Sequence, residues 1–227
     1  MSKHFWYVAR NEIIFSMLKQ YCDLKGKMLE VGCGEGDVLL FLKSKSMNVE
    51  ALDMSQSALF SLSKKEEIVS YCIDICKTDI NSQFDIVGCF DVLEHIEDDE
   101  LALRRMYNCL KPNGKIILTV PAFSWLWSSF DVFCEHFRRY NSKSIQNKIR
   151  NSGFKIIKSS YFMFFLFPVI LLIRFFSRSK IAKEYAEEKT FPFLNDVFLF
   201  VFRLDRFLMK FVNLPYGSSI IVVAEKK

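Results

Sequence analysis

The stretch MLEVGCGEGDVLLFL, Met28 to Leu42, places three glycines at alternate positions between two apolar runs. Glycine loses more backbone freedom on folding than any other residue, so three this close together serve backbone geometry. The residues before them, KMLEV, read as a short strand. Those after, GDVLLFLKSK, read as a helix. A glycine loop between strand and helix lies at the carboxyl edge of a parallel sheet, where open α/β folds bind their ligands. The exposed N–H groups and the helix N-terminus favour a polar or anionic ligand group. Further out, NVEALDM reads as a second strand and brings Asp53 to its end, 21 residues after Gly32. A carboxylate there accepts hydrogen bonds from two ribose hydroxyls, which points to a nucleoside-containing cofactor. A plain glycine turn beside a solvated aspartate is the bland alternative. The strand, the helix and the acid at that spacing weigh against it.

The rest of the chain continues the alternation. Residues 9–22 carry Ile13, Ile14, Met17 and Leu18 at helical spacing, and SQSALFSLSKKE is a helix behind a serine cap. IVSYCID and FDIVGCFDV read as the third and fourth strands, and DDELALRRMYNCL as a helix closed by the turn KPNG. KIILTVPA, KIIKSSYF and SSIIVVAEK read as strands, with the helix NSKSIQNKIRNSGF before the second of these. Strands alternating with helices predict a parallel sheet covered on both faces. Two segments break the rhythm, the loop at 123–140 and an insertion at 161–214. The expectation is one domain over 1–227, with a core formed by 28–160 and 215–227.

Composition limits the function classes. Apolar residues make up 51% and charged residues 25%, a globular balance. The seven cysteines form no CxxC pair, and the start MSKHFWYVARNE has no apolar h-region, so the expectation is reduced thiols in a cytoplasmic protein. Residues 1–153 are near neutral, with 19 Lys/Arg against 20 Asp/Glu. Residues 154–227 hold 12 against 6 and carry 14 of the 24 phenylalanines. A basic, aromatic-rich region suits an anionic membrane surface or a lipid-like ligand. Nucleic acid is not expected, because dense Lys/Arg clusters on a polar face are missing.

A dinucleotide site would read GxGxxG, but the spacing here is GxGxG, with Glu30 before it and Asp37 after. The motifs LEVGCGEG, ALDMS, YCIDI, FDIVGCFDVLEHI and LKPNGKIILTVP resemble, in succession, those of class I S-adenosylmethionine-dependent methyltransferases. The resemblance covers about residues 28–121 closely and the last strand loosely. It implies an α/β Rossmann-like seven-stranded sheet, six strands parallel and the last antiparallel, here with a hydrophobic helical insertion before the final strand. It also implies S-adenosyl-L-methionine as cofactor. Glu30, Gly32, Cys33, Gly34 and Gly36 would then lie under its methionine part. Asp53 and Met54 would hold the ribose, Asp74 and the backbone of Ile75 the adenine, and Asp91 would face cofactor and acceptor.

On the acceptor side, some similar enzymes, including quinone-pathway O-methyltransferases, hold a metal on an acid-x-x-Glu-His group, here Asp91, Glu94 and His95. The reading preferred for this chain has Glu94 and His95 ordering the loop, with no metal. The segment SWLWSSFDVFCEHFRRY offers Asp131 or His136 as general base. It also offers Trp127, Arg138, Arg139 and Tyr140 for acceptor binding, arginine being suited to phosphate. The pattern of this segment, with HFW near the N-terminus, resembles a bacterial subgroup linked to cell-envelope glycan and polyprenyl-phosphate pathways. That likeness lays His4, Phe5, Trp6 and Arg10 over the cofactor pocket. The apolar run YFMFFLFPVILLIRFF at 161–176 is short for a bilayer span. Arg174, Arg178 and Lys180 accompany it. The segment DVFLFVFRLDRFLMKFV at 196–212 puts Arg203, Arg206 and Lys210 among bulky apolar residues. Both suit an element lying in a membrane surface. The sequence-based reading is therefore methyl transfer to an oxygen or nitrogen of a hydrophobic or lipid-linked small-molecule acceptor, at the cytoplasmic membrane face. Two alternatives stay open: a soluble small-molecule methyltransferase with a helical lid, and a non-catalytic adaptor that binds cofactor or membrane.

Overall fold

The chain threads one seven-stranded sheet in the order β3-β2-β1-β4-β5-β7-β6. The structure is a computed structural model and describes residues 4–78, 80, 83–176 and 192–227. The strands are β1 Lys27–Val31, β2 Asn48–Asp53, β3 Ser70–Cys72, β4 Phe84–Phe90, β5 Leu110–Pro121, β6 Phe154–Phe162 and β7 Ser219–Lys226. Strand β7 runs antiparallel to both of its neighbours, and the pairs from β3 across to β5 are parallel. The expected sheet of six parallel strands and one antiparallel strand is thus present. β4 and β7 are buried along nearly their whole length, and β5 from Ile116 onward, as strands covered on both faces must be.

The helices are α1 Phe5–Tyr21, α2 Asp37–Ser44, α3 Gln56–Lys65, α4 Asp99–Asn108, α5 Ser129–Phe133, α6 Ser142–Asn151, α7 Phe167–Phe176 and α8 Pro192–Met209. Local sequence chemistry sets their starts. The Ser55 hydroxyl accepts the Ala58 N–H, Asp98 caps α4 through Leu101 N–H, and Asn141 caps α6 through Ser144 N–H.

Two elements differ from expectation. The third strand is only three residues long, because Asp74 turns its carboxylate back to accept the Cys76 N–H and ends the extended run. The turn KPNG does not separate α4 from β5 but lies inside β5. Pairing with β4 jumps from Phe84↔Leu110 to Ile86↔Lys115, and Asn113 takes a φ of +62° in the bulge. The insertion supplies α7 and α8. Its basic residues Arg178 and Lys180 lie outside the described residues. α8 packs along α1, which ties the insertion to the helix that carries Arg10.

Candidate functional site

The glycine loop divides its labour. Gly32, Gly34 and Gly36 have φ of +71°, +52° and +84°, a region that side chains with a Cβ rarely occupy. A Cβ on Gly32 would stand 2.5 Å from both methyls of Val92, and one on Gly36 would stand 2.5 Å from Leu62 Cδ1. A Cβ on Gly34 would meet nothing within 4 Å. Two glycines are therefore demanded by packing, and the middle one opens onto free space. Asp53 fixes that opening, with Oδ2 accepting the Gly34 N–H at 2.7 Å and Oδ1 accepting the Ser55 N–H at 2.8 Å. Cys33 is buried beneath the loop, and Met54 is exposed beside it.

Under the loop lies Glu30, buried, with Oε2 lacking any hydrogen-bond partner. Burial pushes its carboxyl up to about 8; Arg10 opposes the rise, and Asp37 and Asp53 add to it. Arg10 comes from α1. Its guanidinium lies 2.9 Å from Asp91 Oδ2 and 3.5 Å from Asp37 Oδ2, and over the Trp6 ring at 4.6 Å. Helix α1 thus crosses the ends of β4 and α2. Asp91 has a φ of +55° and gives its N–H to Thr119 O. Asp74 holds its own turn and lies 3.2 Å from Lys77 Nζ; Ile75 is buried next to it. An unpartnered buried carboxylate oxygen, open space above Gly34 and a strand-end carboxylate fit a ligand that carries an ammonium group and vicinal hydroxyls.

The acceptor side is arranged differently. Asp131 is fully buried and accepts hydrogen bonds from Ser128 N–H at 2.8 Å, Ser128 Oγ at 3.0 Å and Arg139 Nε at 2.6 Å, and it meets His136 Nδ1 at 3.0 Å. Burial alone would raise its pKa, but the bonds from His136 and Arg139 outweigh burial and hold the group well below the carboxylate range. Asp131 is therefore charged and sealed, and its chemical reach runs through His136. An ionised partner at Nδ1 fixes the tautomer with the lone pair on Nε2. The ring of His136 meets that of His95 edge-on, with centroids 4.5 Å apart.

Arg139 and Tyr140, expected to meet acceptor, face inward. Arg139 has a 4% exposed side chain, spent on Asp131 and on Ala122 O. The Tyr140 hydroxyl donates to Asp99 Oδ2 at 2.9 Å inside the core. Arg138 pairs with Asp99 at 3.0 Å and donates to Glu97 O. Asp99, which the sequence reading did not single out, gathers Arg138, Tyr140 and Lys148 and pins the segment to α4. Trp127 stands exposed, along with Trp125, Phe133 and Phe137.

Asp91, which some similar enzymes group with Glu94 and His95 around a metal, is engaged here by Arg10 at 2.9 Å. Glu94, His95 and His136 converge instead, each offering a ligand atom, with all three atoms within 4.8 Å of one another. Glu94 Oε2 is buried and unpartnered, and burial followed by Asp91 raises its pKa well above normal. Oxygen and imidazole donors of this kind suit Mg, Mn or Fe.

Comparison with known proteins places these features in context. The family model described as "Methyltransferase domain" matches residues 8–159. A ubiquinone biosynthesis O-methyltransferase from Coxiella burnetii is 31% identical over 116 residues, which is 48% of this chain and 50% of that protein. The one from Pseudomonas aeruginosa is 25% identical over 118 residues. The chain thus spans about half the length of the curated relatives it matches. Among solved structures, Haemonchus contortus phosphoethanolamine N-methyltransferase 2 in complex with S-adenosyl-L-methionine aligns with a TM-score of 0.63 at 22% identity, covering 95% of this chain and 52% of that one. A possible histamine N-methyltransferase from Thermotoga maritima aligns with a TM-score of 0.62 at 15% identity, covering 98% and 93%. At these identities the structural likeness is one of fold.

Proposed function

On the premise that this chain belongs to the methyltransferase-domain family, we propose that it moves the methyl group of S-adenosylmethionine to an oxygen or nitrogen of a small hydrophobic or lipid-linked acceptor, met at the cytoplasmic face of a membrane. The observation that carries the cofactor is the space above Gly34, bounded by the unpartnered Glu30 Oε2 and by Asp53. Glu30 would hold the ammonium of the methionine part, Asp53 with Met54 the ribose, and Asp74 with Ile75 N–H the adenine edge. When bound, the cofactor supplies a methyl group on a sulfonium, already activated toward a nucleophile. The chain's task is then to place the acceptor in line and take its proton. His136 Nε2, held in the basic tautomer by Asp131, is the group proposed to do so. The exposed Trp125, Trp127, Phe133 and Phe137 of the same segment favour an apolar acceptor. The likeness to ubiquinone-pathway O-methyltransferases favours oxygen as the atom methylated.

Convergence of Glu94, His95 and His136 supports a second reading, in which a divalent cation on these three side chains orients the acceptor oxygen. His136 Nε2 cannot serve as base and ligand at once, so the two readings separate cleanly. If it is the base, His136→Ala loses turnover, and chelation with added Mg or Mn changes nothing. If it is a ligand, chelation alone stops the reaction and the cation restores it.

The parent test is calorimetric titration with S-adenosylhomocysteine beside NAD, followed by incubation with methyl-labelled S-adenosylmethionine and a membrane lipid extract. Binding of the first ligand alone, and label entering the organic phase, are the expected results. Label confined to water-soluble acceptors would favour the lid alternative. Binding without transfer to any acceptor would favour the adaptor.

A further inference from the structure

Helix α8 is apolar on two opposite faces. Its inner face is spent on α1. The Phe5 ring lies 4.9 Å from Phe198 and 5.8 Å from Phe202, the Phe5 N–H donates to Asn195 Oδ1 at 2.6 Å, and Arg206 pairs with Glu12 at 2.6 Å. Asp205, also inward, accepts the Phe164 N–H at 2.7 Å and locks the exit from β6. The outer face is a second stripe. Val197, Phe200, Leu204, Phe207 and Phe211 follow each other at steps of three and four residues, and each is between 41% and 72% exposed. A helix apolar all round is normally covered all round, and among the described residues nothing covers this side.

We propose that the outer stripe of α8 is a docking surface for an anionic lipid bilayer. The inference deepens the membrane-face part of the proposed function and rests on that reading. Charge carries it. Arg203 and Lys210, both exposed, lie seven residues apart along one flank of the stripe, against a single exposed acid, Asp196, on that flank. Arg203 also lies 3.4 Å from Glu12, while the stems of both cations can lie on apolar surface beneath lipid phosphates. The apolar surface runs past Met209, the end of α8, through exposed Phe211 and Val212. A second copy packed antiparallel on this stripe would set Arg203 beside Arg203 at the centre and Asp196 opposite Lys210 on either side, which makes a dimer the rival occupant that the test must separate. No helix of the described residues is long and apolar enough to cross a membrane, so the helix would lie in the headgroup layer.

The test is flotation of the full chain with phosphatidylcholine vesicles, with and without phosphatidylglycerol. The chain is expected to float with the anionic vesicles and to be released by salt. Phe200→Ser combined with Phe207→Ser should lower the bound fraction about tenfold or more, through the apolar area lost. Arg203→Gln combined with Lys210→Gln should lower it for anionic vesicles only. A chain that stays down with both vesicle types, or floats equally well without the two phenylalanines, overturns the proposal. So does a dimer in sedimentation that the phenylalanine substitutions dissociate, since the occupant would then be a second copy. S-adenosylhomocysteine titration gives the separate readout. The phenylalanine variant should bind as the unaltered chain does, and absence of binding in both would sink the cofactor reading while the flotation result still decides the docking.

Discussion

Where the glycine loop meets β2, Asp53 spends its carboxylate on backbone N–H groups and leaves open space above Gly34. Where the segment 123–140 meets α4, Asp131, Arg139, Asp99 and Arg138 spend their charges on one another. Both regions are rich in polar residues that look functional in sequence. In the first, backbone geometry fixes the side chains and the groups left over face the cleft. In the second, the segment is folded inward by its own charges, and only His136 among its titratable groups keeps a nitrogen for chemistry. Burial explains the contrast, because a charge removed from water needs a partner, and a segment that buries Asp131 and packs over the buried Asp99 of α4 must bring a cation to each.

The largest effect should come from breaking that internal pairing. Arg139→Ala strands the buried Asp131 carboxylate and should cost about 3–5 kcal/mol of stability, read by denaturant unfolding. If the loss is under about 1 kcal/mol, the pair is not holding the segment, and Arg139 returns to the list of acceptor-binding residues. The same carboxylate gives a pH signature. Its folded pKa lies below the unfolded value, so its stabilisation is present above the unfolded pKa and is lost as pH falls below it. Asp131→Asn should flatten that acid limb.

A smaller effect should separate two glycines of one loop. Gly32→Ala must displace a β-branched side chain as well as strain a positive φ, and should destabilise the fold by about 1–3 kcal/mol more than Gly34→Ala. Gly34→Ala should be destabilised only by the strain of its positive φ, about 1–2 kcal/mol, but should also lose S-adenosylhomocysteine affinity, because its methyl group enters the open space. Equal stability losses, or unchanged affinity in Gly34→Ala, would mean that the space above Gly34 is not the ligand's.

Legibility in the sequence followed the same division. The alternation of strands and helices and the strand-end positions of Glu30, Gly34, Asp53 and Asp91 were readable because a parallel sheet with its glycine loop places strand-end residues without regard to distant contacts. The antiparallel last strand came from the family resemblance, and the strand order came only from the structure. The pairing of Arg139 with Asp131 was not, since it depends on a fold-back no periodicity reports. One local signal did exist. Ser128 and Asp131 are three apart, and they form the capping box that starts α5. That spacing marks Asp131 as a cap before it marks it as a base. The meeting of His136 with Glu94 and His95 had no such signal. It arises because Phe137 gives its N–H to Glu94 O, a contact between positions 43 residues apart.

The finest probe of the contrast is Glu30, a buried acid with one oxygen unpaired. Its carboxyl is pushed up to about 8 by burial, so the ligand-free protein holds a proton there at neutral pH. A ligand ammonium prefers the ionised form. Binding must therefore expel that proton, and S-adenosylhomocysteine affinity should rise as pH increases toward about 8, by up to about tenfold per pH unit, and then level off. Calorimetry in buffers of different ionisation enthalpy would count the released proton directly. Glu30→Gln should bind more weakly at pH 8, with a flat profile and no proton release. A profile unchanged by Glu30→Gln would place the titration elsewhere and take the ammonium away from Glu30. On the acceptor side Asp131 is ionised and paired across the same range, and Glu94 is the group comparable to Glu30: a buried acid with one oxygen unpaired, its carboxyl raised chiefly by burial.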